Sequence, residues 1–468
     1  MWDDIFKSAQ DLFAGRRFIA VLFLLAWLPR LGLAVSLAPR NPHPYDPLYE
    51  QMASNYAAGR GLVAYERFGP HPPMALRSFR PPLFPWVWGL LYRPTGGAYR
   101  PVRVFHSLLG ACVPVIVFLM ASALFGKKCG VLAGLGCAFY PPLIWHSVHL
   151  MTEPLFIFFH TLTFYFLLTL DSGPTPDIGA SIEAGAKSGD EKRRYSTNLL
   201  RGILSGAAAG LAVLSRSVML GFVPIAALWM LLRAHPWRKN MAQCALFVTS
   251  FALVMLPWWI RNYSVHGCFV ASTTDGGHGF YGGNNEVALR RATGFGWPAD
   301  WAVLAGVQTE VQMDRTLYAA GLRFWKQNPS AVPRLMFDRF CRLWRPWPHV
   351  RFTEIWNEGS DDALPPLTPR SIFIAIVYFL SFLATFPVMA IGFVASWKED
   401  RSKRAQWVLV LLLVLYTTAI HMVFQATIRY REPMWPVLFV FWAAALVKWN
   451  DNKRKNLAAQ TKKETRGN

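Results

Sequence analysis

An all-α, polytopic membrane protein is the fold class this sequence predicts, and three observations predict it. Apolar blocks recur along nearly the whole of a 468-residue chain that is 53% hydrophobic and carries 20 Trp and 34 Phe. A bilayer core takes about 20 apolar residues as helix, and blocks of that kind recur about ten times. Lys and Arg cluster in alternate short loops, the pattern left by basic loops that stay on the cytoplasmic side. Inside lipid a helix satisfies its backbone groups within its own segment, so each block reads as helix.

From the amino terminus, Met1 to Gly15 is amphipathic and mixed in charge, and no small-residue cleavage site follows the first apolar run. Residues 1–17 therefore read as a cytoplasmic amphipathic terminus, and the first span stays as an anchor. Spans are expected near 18–38, 103–125, 130–148, 153–170, 199–215, 218–233, 241–260, 371–396, 407–424 and 433–449. The run 199–233 holds Ser215-Arg216-Ser217 at its middle and reads as two short helices joined at the outer surface. Pro81 to Leu91 is too short to span and reads as an interfacial helix. With the amino terminus inside, Lys127-Lys128, Lys192 to Arg194, Arg233 to Lys239, Lys398 to Arg404 and the tail all become cytoplasmic. The same parity places 39–102 and 261–370 outside, where they are expected to build the functional domain. Residues 18–260 form an amino-terminal transmembrane module with outer loop 39–102 and a flexible cytoplasmic linker at 171–198. An outer-side loop domain at 261–370, carboxy-terminal transmembrane helices at 371–449 and a cytoplasmic tail at 450–468 complete the organisation. Trp301 to Trp325 and Arg334 to Arg345 are expected to lie along the membrane within the outer cap.

Charge narrows the function. The net charge of +21 comes from 48 Lys and Arg against 27 Asp and Glu. Topology accounts for the inward-facing share, so nucleic acid is not implied. The remainder is largely arginine in the outer segments, which suits phosphates and anionic lipid headgroups. The six cysteines show no metal-ligand spacing; Cys268 and Cys341 share the outer loop, where an oxidising compartment would allow a disulfide.

Several polar groups stand out against this apolar background, each with a plain reading beside the chemical one. Asp46, in Pro44-Tyr45-Asp46-Pro47, follows the first span and either caps a helix beginning at Pro47 or does acid–base chemistry on a lipid-linked substrate. Tyr49, Met52, Ala53 and Tyr56 recur behind it at helical spacing. Arg80 precedes a proline-started helix, a place for a headgroup anchor or for gripping phosphate oxygens. Glu153, before Pro154, is a helix start or an acid at the mouth of an outer cavity, with His149 close by. Arg216 and Arg261 occupy equivalent outer ends of two spans, as anchors or as a phosphate clamp. The glycine-rich stretch Thr273-Thr274-Asp275-Gly276-Gly277-His278-Gly279-Phe280-Tyr281-Gly282-Gly283-Asn284-Asn285 is a turn-rich linker or a substrate loop. Arg429 and Arg431 guard the entrance to the last span.

Taken in order, these marks resemble the membrane glycosyltransferases of the dolichyl-phosphate-mannose protein mannosyltransferase superfamily, which includes bacterial aminoarabinose transferases and has the C-type glycosyltransferase fold. The resemblance runs from about residue 18 to 445 and rests on Asp46 with Tyr49, Arg80-Pro81-Pro82-Leu83-Phe84-Pro85, Tyr140-Pro141-Pro142, Thr152-Glu153-Pro154, Leu214-Ser215-Arg216, Pro257 to Tyr263, Gly276-Gly277 through Asn285, and Arg429-Tyr430. It implies Asp46 as catalytic base; Tyr49, Arg80, His149, Glu153, Arg216, Arg261, Tyr281, Asn284, Asn285 and Arg429 are the expected substrate contacts beside it. It also implies a polyprenyl-phosphate-linked sugar donor and a lipid, glycan or protein acceptor. Many relatives carry a second acid directly after the first, where this chain has Pro47, which leaves the acceptor and a divalent metal ion open. The expected reaction is an inverting displacement, catalysed from the outer face of a bacterial cytoplasmic membrane among membrane lipids. Two other classes stay open: a lipid or solute transporter, and a non-catalytic scaffold of envelope assembly. The spans contain no central Asp or Glu and no internal repeat, which weighs against a transporter.

Overall fold

A helix rises about 1.5 Å per residue, so apolar length decides which helices can bridge a bilayer. The computed structural model describes residues 16–36, 46–170, 187–233, 236–291, 294–346 and 369–467. Among them six helices are long and apolar enough to cross a membrane. They lie in α1 (Arg16–Ser36), α4 (Arg100–Phe125), α8 (Lys187–Ser215), α10 (Trp237–His266), α15 (Pro369–Glu399) and α16 (Arg404–Val423). Two more, α7 (Glu153–Leu168) and α9 (Phe222–Leu232), are apolar but shorter. The run expected at 130–148 is divided into α5 (Lys127–Ala138) and α6 (Pro141–His146), because Pro141 and Pro142 offer no backbone donors to continue a helix. The last expected span is the start of α17 (Trp435–Gly467). The chain is a multi-pass membrane protein, helical but for one short hairpin among the described residues, and six of the ten expected spans fall in helices that are long and apolar enough to cross.

The linker expected at 171–198 does not extend to Asn198. Lys187 to Asn198, assigned to it, form the opening turns of α8; their Lys, Arg and Glu are good helix formers and continue directly into the apolar segment. Residues 171–186 lie outside the described residues. Between α8 and α9 the chain breaks as expected: Arg216 is extended, with φ −151° and ψ 121°, and Ser217–Gly221 makes a 3-10 turn.

Glycine sets the contact between α8 and α10. Gly202, Gly206 and Gly210 form a stripe on α8, and a Cβ on Gly206 would lie 2.1 Å from the Phe247 carbonyl oxygen and 2.2 Å from Ser250 Oγ. Small residues let membrane helices pack backbone to backbone. Gly202 meets Gln243, Gly206 meets Phe247 and Gly210 meets Val254. Contact positions rise together, so α8 and α10 run parallel and end on the same side of the bundle.

On that side the loops build a cap. It contains α2 (Pro47–Ala57), an antiparallel hairpin of β1 (Ala64–Glu66) and β2 (Met74–Leu76), α3 (Leu83–Thr95), α11 (Gly276–Gly283), α12 (Glu286–Arg290), α13 (Glu310–Gln327) and α14 (Ala331–Trp344). Leu48 and Met52 of α2 share one core with Leu76, Phe79, Leu304 and Met313, so the segments after α1 and after α10 pack as one body. Trp301, with φ 46°, is the one non-glycine residue at positive φ among the described residues. It packs against Gly69, where a Cβ would lie 2.8 Å from its ring. Arg339 of α14 is buried and ties the cap to the bundle, donating to the carbonyls of Gly283, Met422 (2.9 Å) and Val423 (3.0 Å).

Substituting Val for Gly206 forces side-chain atoms into the α10 backbone, an overpacking that costs about 3 kcal/mol. The expected outcome is a lower melting midpoint in detergent, whereas Gly32→Val on α1, where no neighbour lies within 4 Å, leaves it near wild type.

Candidate active site

Asp46 is placed by local geometry before any ligand is considered. It is the N-cap of α2, extended at φ −140° and ψ 104°, with Pro47 at the first helical position, where a fixed φ and a missing N–H suit proline. One carboxylate oxygen, Oδ1, accepts the Leu48 N–H at 3.0 Å. The other, Oδ2, lies 2.8 Å from Arg80 Nη2. Capping and ion pairing therefore use different oxygens of Asp46.

Arg80, just before α3, also reaches Asp275 Oδ2 through Nη1 at 3.1 Å. Its guanidinium lies 4.9 Å from the Phe79 ring and 6.0 Å from the Tyr49 ring, distances at which cation and π-face attract. Arg80 is 25% exposed, and Asp46 and Asp275 are each 22% exposed, so a ligand can reach all three. Burial works against the Arg80 charge, yet its neighbours, Asp46 foremost, more than offset it and raise its pKa. Burial likewise raises the Tyr49 hydroxyl and keeps it a neutral donor.

A second centre lies beside the first. Glu153 opens α7 and is 2% exposed. Its Oε1 lies 2.5 Å from Arg216 Nη1 and 3.9 Å from Arg429 Nε, and its Oε2 has no hydrogen-bond partner. Arg216 and Arg429 each stand 4.9 Å from the Tyr430 ring. Hydroxyls join the centres: Ser217 Oγ lies 2.9 Å from Thr273 Oγ1, which donates to Asp275 Oδ1 at 2.5 Å, and Ser272 Oγ donates to Ser217 Oγ at 2.9 Å. Around Arg80 two carboxylates face one guanidinium, and around Glu153 one carboxylate faces two. The site is polarised, with an acid-rich half and an arginine-rich half.

The structure thus brings together Asp46, Tyr49, Arg80, Glu153, Arg216 and Arg429, and adds Asp275, Thr273 and Ser217, which lie in stretches the sequence marked without naming them as contacts. The remaining expected contacts are engaged elsewhere. Arg261 donates to Ser78 Oγ at 2.7 Å, Asn262 Oδ1 at 3.1 Å and the Leu62 carbonyl at 3.3 Å, and so buttresses the Arg80 loop. His149 is buried, with Nδ1 2.6 Å from the Trp145 carbonyl and its ring against that indole. Tyr281 packs on the cap core. Asn284 bonds Phe280, Val423 and Trp325, and Asn285 caps α12 by accepting the N–H groups of Val287 and Ala288. Cys268 and Cys341 are both free thiols, so the disulfide that their shared loop would allow does not form; Cys341 lies on an exposed face of α14.

The described residues do not form a site for a resident divalent metal. Among the described residues no group of three or more His, Cys, Asp or Glu is placed to hold one. The Arg80 guanidinium lies between Asp46 and Asp275, the two carboxylates best placed to share an ion.

Comparison with known proteins defines the class. Residues 80–266 match the family described as dolichyl-phosphate-mannose-protein mannosyltransferase. The oligosaccharyltransferase of Archaeoglobus fulgidus in its apo form superposes with a TM-score of 0.55 at 13% identity, over 96% of this chain and 52% of that one. The same organism's AglB, in complex with an inhibitory peptide and a dolichol-phosphate, gives 0.51 at 12% identity, over 95% and 52%. ArnT from Cupriavidus metallidurans bound to undecaprenyl phosphate gives 0.40 at 14% identity, over 91% and 76%. The chain spans about half the length of the archaeal structures it matches, and no curated protein matches its sequence. The fold is that of the C-type membrane glycosyltransferases.

Two measurements test the site's electrostatics. Removing the Arg216 side chain leaves a buried carboxylate short of its main partner, a change that costs about 3 kcal/mol. Arg216→Ala is therefore expected to lower the melting midpoint, and adding Glu153→Gln to recover part of the loss. Asp314 accepts the Gly277 N–H at 2.6 Å, one residue beyond Gly276 and close to Asp275, and burial pushes its carboxyl from 3.8 up to about 6. The folded state then holds this proton more tightly than the unfolded chain, so stability falls as pH rises through that window. Asp314→Asn is expected to melt above wild type at about pH 7.5 and level with it below about pH 4.

Proposed function

We propose that this chain is a membrane glycosyltransferase that moves a sugar from a polyprenyl-phosphate donor to a hydroxyl-bearing lipid, glycan or protein acceptor by inverting displacement. The observation that carries the reading is the pairing of a ligand-accessible acid, Asp46, with a polarised cluster of Arg80, Arg216 and Arg429. The family match, the fold and the dolichol-phosphate named for AglB support a lipid-linked donor. The reacting face is the cap side, outside a bacterial cytoplasmic membrane, in keeping with the distribution of basic loops.

The chemistry is set by the leaving group. A polyprenyl phosphate departs as a stable anion, so it needs cationic stabilisation more than a proton. Water-attacking glycosidases, by contrast, usually set two carboxylates about the scissile bond. In the proposed step the acceptor oxygen attacks the anomeric carbon from the face opposite the phosphate. A new C–O bond forms, the bond to the phosphate oxygen breaks with its electron pair, and the acceptor proton passes to Asp46 Oδ2. Arg80 would part from Asp46 toward the phosphate, while Arg216 and Arg429 keep the opposite half positive. Tyr49 lines the Asp46 side. Glu153 holds the two arginines in register and has one oxygen in reserve for a sugar hydroxyl.

Asp46→Asn tests the base directly. Asn caps helices about as well as Asp, so α2 stays intact, while general-base catalysis worth ~10²–10⁴-fold is lost. Transfer of radiolabelled sugar from a polyprenyl-phosphate donor is expected to fall by that factor, with the melting midpoint little changed. Wild-type transfer by this variant would refute the assignment.

A further inference from the structure

The geometry points to Glu310 as the positioning residue that sets the Arg80 guanidinium between Asp46 and Asp275. This inference rests on the reading of Arg80 as a phosphate-gripping group. Glu310 is the first residue of α13, behind the N-cap Thr309, and is 3% exposed. It touches none of the reacting groups.

Its two oxygens gather donors from three segments. Oε1 accepts the backbone N–H groups of Arg77 and Ser78, each at 3.0 Å, and lies 3.3 Å from His266 Nε2 at the end of α10. Oε2 accepts the Thr274 hydroxyl at 2.9 Å and shares the Ser78 N–H at 3.2 Å. The Thr274 N–H donates to the Ser78 carbonyl at 3.0 Å and closes the ring. Ser78 is fully buried, and its hydroxyl meets Asn262 Oδ1 (2.8 Å), His266 Nε2 (2.8 Å) and Arg261 Nη1 (2.7 Å).

The consequence lies immediately downstream of each anchored residue. Arg80 is two residues beyond Ser78, and Asp275 is one residue beyond Thr274. A single carboxylate therefore fixes the backbone that bears the central cation and the backbone that bears one of its two acids. A charged acid suits this place because it accepts at both oxygens and donates at neither, and all its contacts are donors. An amide puts an NH2 group against the donor of Thr274 or Ser78, and an apolar residue leaves the peptide N–H groups of Arg77 and of buried Ser78 without this partner. Nothing in the sequence marks Glu310, which lies 233 residues from Arg77 and outside the family match at 80–266.

A double-mutant cycle on the full-length protein in detergent separates positioning from general stability, with undecaprenyl phosphate as the probe ligand. A charge-assisted contact to phosphate is worth roughly 10–100-fold in affinity, and Arg80→Ala is expected to weaken the probe's Kd by that much. Glu310→Gln should weaken it at least ~5-fold, and Thr274→Val, which removes one contact and keeps the shape, by ~3-fold. The double variant Glu310→Gln/Arg80→Ala is expected to bind no more weakly than Arg80→Ala alone, since Glu310 acts through Arg80. Additive losses in the double variant, or wild-type affinity in both Glu310→Gln and Thr274→Val, would overturn the inference. Wild-type affinity in Arg80→Ala would overturn the phosphate reading of Arg80 itself, and the role of Glu310 with it.

Discussion

A guanidinium held between two carboxylates orders this protein. Arg80 draws Asp46 from the segment after α1 and Asp275 from the segment after α10 onto a single point. Charges removed from bulk water persist only where they are paired, so this junction forms only when the cap has folded. Once it has formed, the helices behind it inherit their placement. α2 starts at Asp46, α3 starts beyond Arg80, and α11 starts after Asp275.

The membrane helices impose a second constraint from below. Parallel packing of α8 on α10 brings their ends to one level, and that level carries Arg216 on one helix and the run toward Ser272 and Thr273 on the other. The hydroxyl bridge between the two charged centres is a product of that register. A glycine stripe inside the bilayer and a serine–threonine contact at its edge therefore belong to one arrangement. The polarity of the site is its result, with surplus negative charge at Asp46 and surplus positive charge near Glu153.

Much of this was legible in the sequence. Apolar blocks marked the helices, since bilayer thickness is a length that a chain must match. Asp46-Pro47, Arg80-Pro81 and Glu153-Pro154 announced helix starts through proline's fixed φ, and Ser215-Arg216-Ser217 announced a break. Asp275 and Thr273 fell in a stretch marked only as linker or substrate loop, and Glu310 gave no signal, because Arg80 and the Arg77–Ser78 peptide lie far from them in sequence. Asn284 and Asn285 misled for a related reason: a glycine–asparagine stretch suits ligand contact and helix capping equally, and here it caps. Arg261 and His149 sit at the right level, but their polar atoms serve the protein's own loops.

The final helix carries a consequence of its length. α17 runs unbroken from Trp435 to Gly467, 33 residues, or about 50 Å at the helical rise, while the hydrocarbon layer is about 30 Å thick. Its apolar part ends near Trp449, so the remainder stands clear of lipid as a stiff stalk bearing Lys453, Arg454 and Lys455. About 20 Å of reach exceeds the screening distance of cellular salt, roughly 8 Å. That length of helix outlasts the electrostatic reach of the headgroups, while Lys453, Arg454 and Lys455 sit at its membrane-proximal end, where that reach still holds.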